Sequence, residues 1–123
     1  MPQPILALNH VGIHVADVAK SIAFYQDILG LAPIDRPDMG FPGAWLGLGP
    51  NQELHLIGKN AHPDMPPSER HFALQVADAE AWAQHLADHG IECDGPRPRA
   101  DGATQLFFRD PDGHVIELSQ LRD

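Results

Sequence analysis

The sequence predicts an α+β fold of two tandem β-α-β-β-β modules, whose eight strands form a half-open curved sheet. The residues at 9–17 resemble those at 70–78 after a shift of 61 positions. Both segments alternate apolar and polar residues, end in an aspartate, and precede a helix-like stretch that stops at a glycine. The 123 residues are about two such units long, so we expect one domain over residues 1–123.

The predicted boundaries follow from this repeat. Module one covers about residues 6–57, a linker covers about 58–69, and module two covers about 70–119. The prolines of the linker predict a flexible stretch between the modules.

Each module begins with a strand and a helix. Asp17 is the expected N-cap of a helix over 18–29, which Gly30 ends in a left-handed conformation. Asp78 and Gly90 have the same roles in module two. Short segments rich in β formers predict six further strands: 31–35, 44–48, 54–57, 91–94, 104–109 and 115–119. The sequence Asp-Pro-Asp-Gly at 110–113 predicts a tight turn between the last two strands.

Charge and cysteine content restrict the partners. Seventeen acidic residues against eight basic ones give a formal net charge of −9, which repels phosphate backbones and anionic lipids. We therefore expect neither nucleic-acid nor membrane partners. The single cysteine, Cys93, excludes an intramolecular disulfide, and no secretory signal or membrane-length apolar run is visible. These features favour a cytoplasmic protein.

Strand parity separates the histidines from the core. In the first strand Ile13 and Val15 should face the helix, while His10 and His14 point the other way. His71 is the repeat partner of His10.

A second pair follows from the same repeat, since Leu-His-Leu at 54–56 aligns with Ile-Glu-Leu at 116–118 and makes His55 equivalent to Glu117. A carboxylate among apolar residues is costly to bury without a partner. If the modules pack around a pseudo-twofold axis, four donors converge: His10, His55, His71 and Glu117. Such donors suit a divalent zinc, nickel, iron, cobalt or manganese ion.

The opening strand at 9–11, the histidine in 70–72 and above all the closing run 108–118 (FRDPDGHVIEL) resemble the vicinal oxygen chelate superfamily. This group contains glyoxalase I, fosfomycin-resistance transferases, extradiol dioxygenases and bleomycin-resistance proteins, and the resemblance covers nearly the whole chain. It implies the paired β-α-β-β-β fold with metal ligands on strands one, four, five and eight, at His10, His55, His71 and Glu117. It also implies a small substrate that binds the metal through two adjacent oxygens, with Glu117 as the catalytic base.

Several activities remain open within that superfamily. A glyoxalase I-like lyase or isomerase fits the short chain and four donors, although glyoxalase I generally has a glutamate where this chain has His55. His10, His71 and Glu117 alone would suit a non-haem iron dioxygenase. A fosfomycin-type transferase ranks third because few residues follow Glu117. The alternative from another class is a metal-free drug-binding protein similar to bleomycin-resistance proteins.

Other side chains are candidates for supporting roles. Glu53 is a candidate proton-transfer group, and Cys93 is expected to be a packed thiol. Candidates for an apolar pocket are Phe41, Trp45 and Phe107, and candidates for contact with an anionic group are Arg97, Arg99 and Arg109. We expect a homodimer that covers exposed strand edges, and the sequence leaves open whether one subunit supplies all four ligands.

Overall fold

The strands form two four-stranded sheets, one in each half of the chain. The computed structural model describes residues 6–59 and 71–122, so most of the predicted linker lies outside the described residues. The chain divides into two compact units, Met1–Ala61 and His62–Asp123.

Unit one contains the elements β1 (His10–His14), α1 (Val18–Ala23), β2 (Pro33–Ile34), β3 (Gly43–Leu48) and β4 (Gln52–Ile57). Its strand order is β1-β4-β3-β2. The first strand runs parallel to the fourth, and the other neighbours are antiparallel.

Unit two repeats this arrangement with β5 (His71–Gln75), α2 (Ala79–Asp88), β6 (Asp94–Pro98), β7 (Thr104–Arg109) and β8 (Val115–Gln120). Its order is β5-β8-β7-β6, again with the first and last strands parallel. Because both units share one element order and one strand order, the predicted α+β fold with two β-α-β-β-β modules is confirmed.

The predicted helix signals are present in both units. The Asp17 carboxylate accepts a hydrogen bond from the Lys20 backbone N–H at 3.1 Å, and Asp78 accepts one from Ala81 at the same distance. Gly30 follows the first helical segment with φ at 73°. A residue with a side chain rarely adopts that conformation, so the glycine provides the expected stop.

The first helix is not the regular α-helix predicted over 18–29. It continues from α1 as a π-helical turn at Phe24–Ile28. In this turn Phe24 and Tyr25 are both buried, and their rings meet edge to face with centroids 5.1 Å apart. The wider turn allows two consecutive aromatic residues to enter the core, which the 3.6-residue period does not anticipate.

The sixth strand was predicted at 91–94 but lies at Asp94–Pro98. Its register against β7 shifts between Asp94 and Arg97. As the edge strand of its sheet, β6 can include prolines, which cannot donate to a neighbouring strand. A prediction from apolar content alone therefore puts this strand too early in the chain.

The predicted facing of the first strand is confirmed. Ile13 and Val15 are buried, whereas His10 and His14 on the opposite face are exposed. Within the described residues, no helix has the length and apolarity needed to cross a bilayer.

The turn between β7 and β8 is held by the buried side chain of Asp110. Its Oδ1 atom accepts hydrogen bonds from the backbone N–H groups of Asp112 and His114 at 2.9 and 2.8 Å. Gly113 completes the turn with φ at 86° and donates its N–H to the Asp110 carbonyl. The predicted tight turn is thus present, and it fixes the start of β8.

We expect Asp110→Ala to lower the free energy of unfolding by about 1–3 kcal/mol, because two backbone donors lose their acceptor. Urea denaturation followed by circular dichroism measures the change. Asp110→Asn is the matched control, since its amide oxygen can still accept both bonds and its loss should be smaller. Equal losses in the two variants would contradict this role of Oδ1.

Candidate metal and catalytic site

In unit one the pairing of β1 with β4 brings two predicted ligands onto neighbouring strands. His10 is opposite Glu53 in the register, and Gly12 is opposite His55. On β4, His55 therefore lies two residues after Glu53, the residue that pairs with His10.

Unit two has the same relation between β5 and β8. His71 is opposite Val115, and Ala73 is opposite Glu117. On β8, Glu117 likewise lies two residues after Val115, the residue that pairs with His71. The four predicted ligands thus form two structurally equivalent pairs, one in each unit.

The unit-one pair is a stack of rings. The His10 and His55 rings are nearly parallel with centroids 4.2 Å apart, and the Trp45 ring also stacks on His55 at 4.2 Å. At the ring edge, His55 Nε2 lies 2.8 Å from Glu53 Oε1. His55 therefore has a protein partner that a cation at Nε2 would displace.

The orientation of His10 is set by its neighbour. Its Nδ1 atom lies 2.7 Å from the Asn9 side-chain oxygen, which can only accept a hydrogen bond. Nδ1 must then carry the proton, and a neutral ring has its lone pair on Nε2. Histidine ligands of metals commonly have this arrangement, with one ring nitrogen donating to an oxygen.

In unit two, Glu117 is buried but not isolated. Its Oε1 atom lies 3.1 Å from His71 Nε2, and its Oε2 atom accepts a hydrogen bond from the Ser119 hydroxyl. Arg99 Nη1 lies 3.6 Å from the same Oε2. These partners compensate the burial of the carboxylate, so burial alone does not require a cation, contrary to the sequence argument.

Arg99 is fixed by a second acid. Its guanidinium donates two hydrogen bonds to Asp101 at 2.9 and 2.8 Å. These bonds, together with one from the Ala103 backbone N–H, lower the pKa of Asp101 to about 2. Asp101 is therefore ionised at neutral pH, and it holds the Arg99 cation near Glu117.

The donor atoms fit a divalent metal in chemistry and, in unit two, in spacing. Two atoms that each lie about 2.1 Å from one cation at a right angle are about 3.0 Å apart. The 3.1 Å between His71 Nε2 and Glu117 Oε1 is close to that value, and it is equally an ordinary length for the ion pair that these side chains form. Across residues 6–59 and 71–122, histidine, cysteine and acidic side chains form no group of three or more that could hold a metal ion.

An open cleft of about 820 Å³ borders His71 in unit two. Its wall includes Phe107, whose ring meets His71 edge to face at 5.7 Å. Arg97 and Arg109 also line the cleft. The cleft thus presents an apolar wall beside a predicted ligand, and its charged lining consists of these two arginines and two acids, Glu92 and Asp94.

These two cations have contacts of their own. Arg97 pairs with Asp94 and lies 5.6 Å from the centroid of the Phe107 ring. Arg109 donates to the Gly113 carbonyl at 2.8 Å.

Two further candidates are placed differently. Phe41 lies beneath the cations of Arg36 and Lys59, with distances of 5.0 and 5.2 Å to its ring centroid. Burial raises the pKa of the Cys93 thiol, which lies 4.0 Å from the Ile91 carbonyl oxygen. A protonated thiol is a poor nucleophile, in agreement with a packed residue.

Sequence reasoning missed three contacts around the ligands. Asn9 precedes His10, and Ser119 lies two residues after Glu117 on the same strand face, so both carried a local signal. The sequence indicates Arg99 only as a contact for an anionic group. Its approach to Glu117 depends on how the chain leaves β6, which no local pattern specifies.

Comparison with known proteins agrees with this architecture. The family model of the Glyoxalase/Bleomycin resistance protein/Dioxygenase superfamily matches residues 7–118. A protein named Glyoxylase I 4 from Arabidopsis thaliana is 33% identical, over 95% of this chain and 72% of its own length.

Two solved structures are similar over nearly the whole chain. The crystal structure of a glyoxalase family protein from Bacillus anthracis has a TM-score of 0.84 at 27% identity, with 99% of this chain and 100% of that chain covered. TnmS3, an antibiotic binding protein from a Streptomyces species, has a TM-score of 0.82 at 28% identity, with 98% and 100% covered. The chain therefore belongs to the glyoxalase, bleomycin resistance protein and dioxygenase superfamily.

Proposed function

We propose that this protein is a metal-dependent lyase or isomerase of the glyoxalase I type. Its substrate would be a small molecule that presents two adjacent oxygens to the metal, such as the adduct of a thiol with a 2-oxoaldehyde. The observation that carries the proposal is the matched register of the pairs His10–His55 and His71–Glu117. Membership of the superfamily and the similarity to Glyoxylase I 4 support it.

The proposed cofactor is one divalent cation per chain, with His10, His55, His71 and Glu117 as its ligands. When bound, the cation supplies Lewis-acid stabilisation of the negative charge that develops on the substrate oxygens. The orientation of His10 by Asn9 and the spacing of His71 and Glu117 support this ligand set. His55 would exchange its contact with Glu53 for the cation.

Glu117 is the proposed proton acceptor as well as a ligand. Ser119 and Arg99 hold its Oε2 atom, which leaves Oε1 directed toward His71. A carboxylate held in one orientation can receive a proton at a defined position. Glu53, half-buried beside His55, is the second carboxylate within reach of the unit-one ligands.

The substrate would lie against the apolar wall at Phe107. An anionic group on the substrate would approach Arg97 or Arg109, which line the same cleft. Arg97 already pairs with Asp94, so Arg109 is the more available of the two for a charged ligand.

Metal-free binding of a flat aromatic molecule is the rival function. The similarity to an antibiotic binding protein favours it, as does the stack of Trp45, His55 and His10. An aromatic ligand could extend such a stack.

We also propose a cytoplasmic homodimer with a small-molecule substrate. The edge strands β1 and β2 of one sheet and β5 and β6 of the other offer backbone groups that a second subunit could cover.

Metal analysis tests the ligand set. After loading with Zn²⁺ or Ni²⁺ and exhaustive dialysis, elemental analysis should find about one tightly bound ion per chain, and His10→Ala and His71→Ala should each retain far less. His14→Ala is the control, because His14 shares the exposed face of β1 with His10. Full retention of the ion by both ligand variants would contradict the proposal.

Activity tests the reaction and the proton acceptor. The metal-loaded protein should isomerise the adduct of methylglyoxal with glutathione, and Glu117→Gln should lower kcat by at least about a hundredfold. Glu53→Gln should retain the metal, and its kcat should fall by less than about tenfold. If Glu53→Gln keeps the metal but abolishes turnover, the proton acceptor is Glu53 and our assignment is wrong. Oxygen uptake with catechols in place of isomerisation would instead indicate a dioxygenase.

The role of Ser119 can be tested by metal affinity alone. Ser119→Ala should weaken binding of the cation by about tenfold or more, because partners that orient a ligand typically contribute that much. Competition with a chromophoric chelator measures the dissociation constant. Ser119→Thr keeps the hydroxyl and should bind nearly as tightly as the unaltered protein. Equal affinities of the alanine variant and the unaltered protein would exclude an orienting role.

A further inference from the structure

Helix α2 carries a pair of histidines near its C-terminus that the candidate site does not use. His85 and His89 are one helical turn apart, and Trp82 precedes them by one turn. We propose that His85 and His89 form a surface site for a borderline divalent transition metal such as Cu²⁺, Ni²⁺ or Zn²⁺. This inference is independent of the proposed function.

The spacing of the two rings suits a shared cation. Their centroids are 4.6 Å apart and their planes are tilted by 55°. When a cation lies about 2.1 Å from one nitrogen of each of two imidazoles, the centroids are about 4.5–5.2 Å apart for ligand angles between roughly 90° and 110°. The spacing of the ring centroids is therefore compatible with one shared ion.

The hydrogen bond of His89 also leaves one of its ring nitrogens to bind a metal. Its Nδ1 atom lies 2.9 Å from the backbone carbonyl oxygen of His85, which can only accept. The lone pair of a neutral His89 is therefore on Nε2, and the Nδ1–H bond to a carbonyl orients the ring as it does in many metal sites. Since His89 caps the C-terminus of α2, the helix dipole adds attraction for a cation.

The chemistry of the pair selects the class of ion. Imidazole nitrogen suits copper, nickel and zinc, whereas magnesium and calcium prefer oxygen ligands. Two protein ligands leave the other positions to water, so this site should be weaker than one with four ligands. The net charge of −9 favours the approach of any cation.

The two tryptophans allow this site to be tested separately from the first. The Trp82 ring meets His85 edge to face at 5.3 Å, whereas Trp45 stacks on His55. In chelator-treated Trp45→Phe, Trp82 is the one remaining tryptophan, and titration with Cu²⁺ or Ni²⁺ should quench its fluorescence with saturation. Adding His85→Gln or His89→Gln should raise the apparent dissociation constant by about tenfold or more, because the second ligand binds at high effective concentration.

The control is His114→Gln in the same background, which removes a histidine outside α2 and should leave the titration unchanged. Mg²⁺ should not quench. Circular dichroism verifies that each variant retains its helices, and the exposed His89 offers a second variant if substitution of His85 disturbs the fold. Quenching of equal strength with and without the pair, or equal quenching by Mg²⁺, would overturn the proposal. In the converse variant Trp82→Phe, Trp45 is the remaining tryptophan, and its fluorescence reports on its stacking partner His55. A loss of quenching can therefore be assigned to one site or the other.

Discussion

Parallel pairing between the first and last strands of each unit determines which polar side chains can meet. Residues two apart on a strand share a face of the sheet, and pairing with the neighbouring strand fixes which residues lie beside each other. In unit one this places His55 beside His10, and in unit two it places Glu117 beside His71. The remaining features of the candidate site, including its orienting contacts, depend on these two ladders.

The two pairs have the same backbone geometry but different surroundings. The unit-one pair is a stack of rings with Glu53 at its edge. The unit-two pair joins the buried carboxylate of Glu117 to the exposed imidazole of His71. Ser119 and Arg99 contact the other carboxylate oxygen, Oε2. The repeated module thus supplies equivalent positions, and the individual residues give each pair different contacts.

The sequence predicted most of the fold because its signals were local. The capping aspartates, the stop at Gly30 and the turn at Asp110 each depend on neighbouring residues, and the repeat related the two modules. Errors arose where distant packing decides the outcome. The π-helical turn at Phe24–Ile28 follows from burying two adjacent aromatic rings, and the position of β6 follows from pairing with β7.

The strand positions of the candidate residues were predictable for the same reason. Strand parity put His10 and His71 on the strand face opposite the helical core, and the shift of 62 made His55 and Glu117 equivalent positions. The sequence could not show that Glu117 has three partners within its own unit, because the contact with Arg99 depends on the path of the chain after β6 ends at Pro98. Because these partners compensate the buried carboxylate, the proposed cation is supported by the equivalent pairs and the donor chemistry and not by the burial of Glu117.

In the proposed site, the ligands of both units bind the same tightly held cation. X-ray absorption spectroscopy of the zinc-loaded protein, recorded in the His85→Gln/His89→Gln background to exclude the surface site, tests this most directly. We expect a first shell of nitrogen and oxygen with scattering from three imidazoles, reduced to two by His10→Ala. A shell of oxygen alone, or one that His10→Ala leaves unchanged, would contradict it.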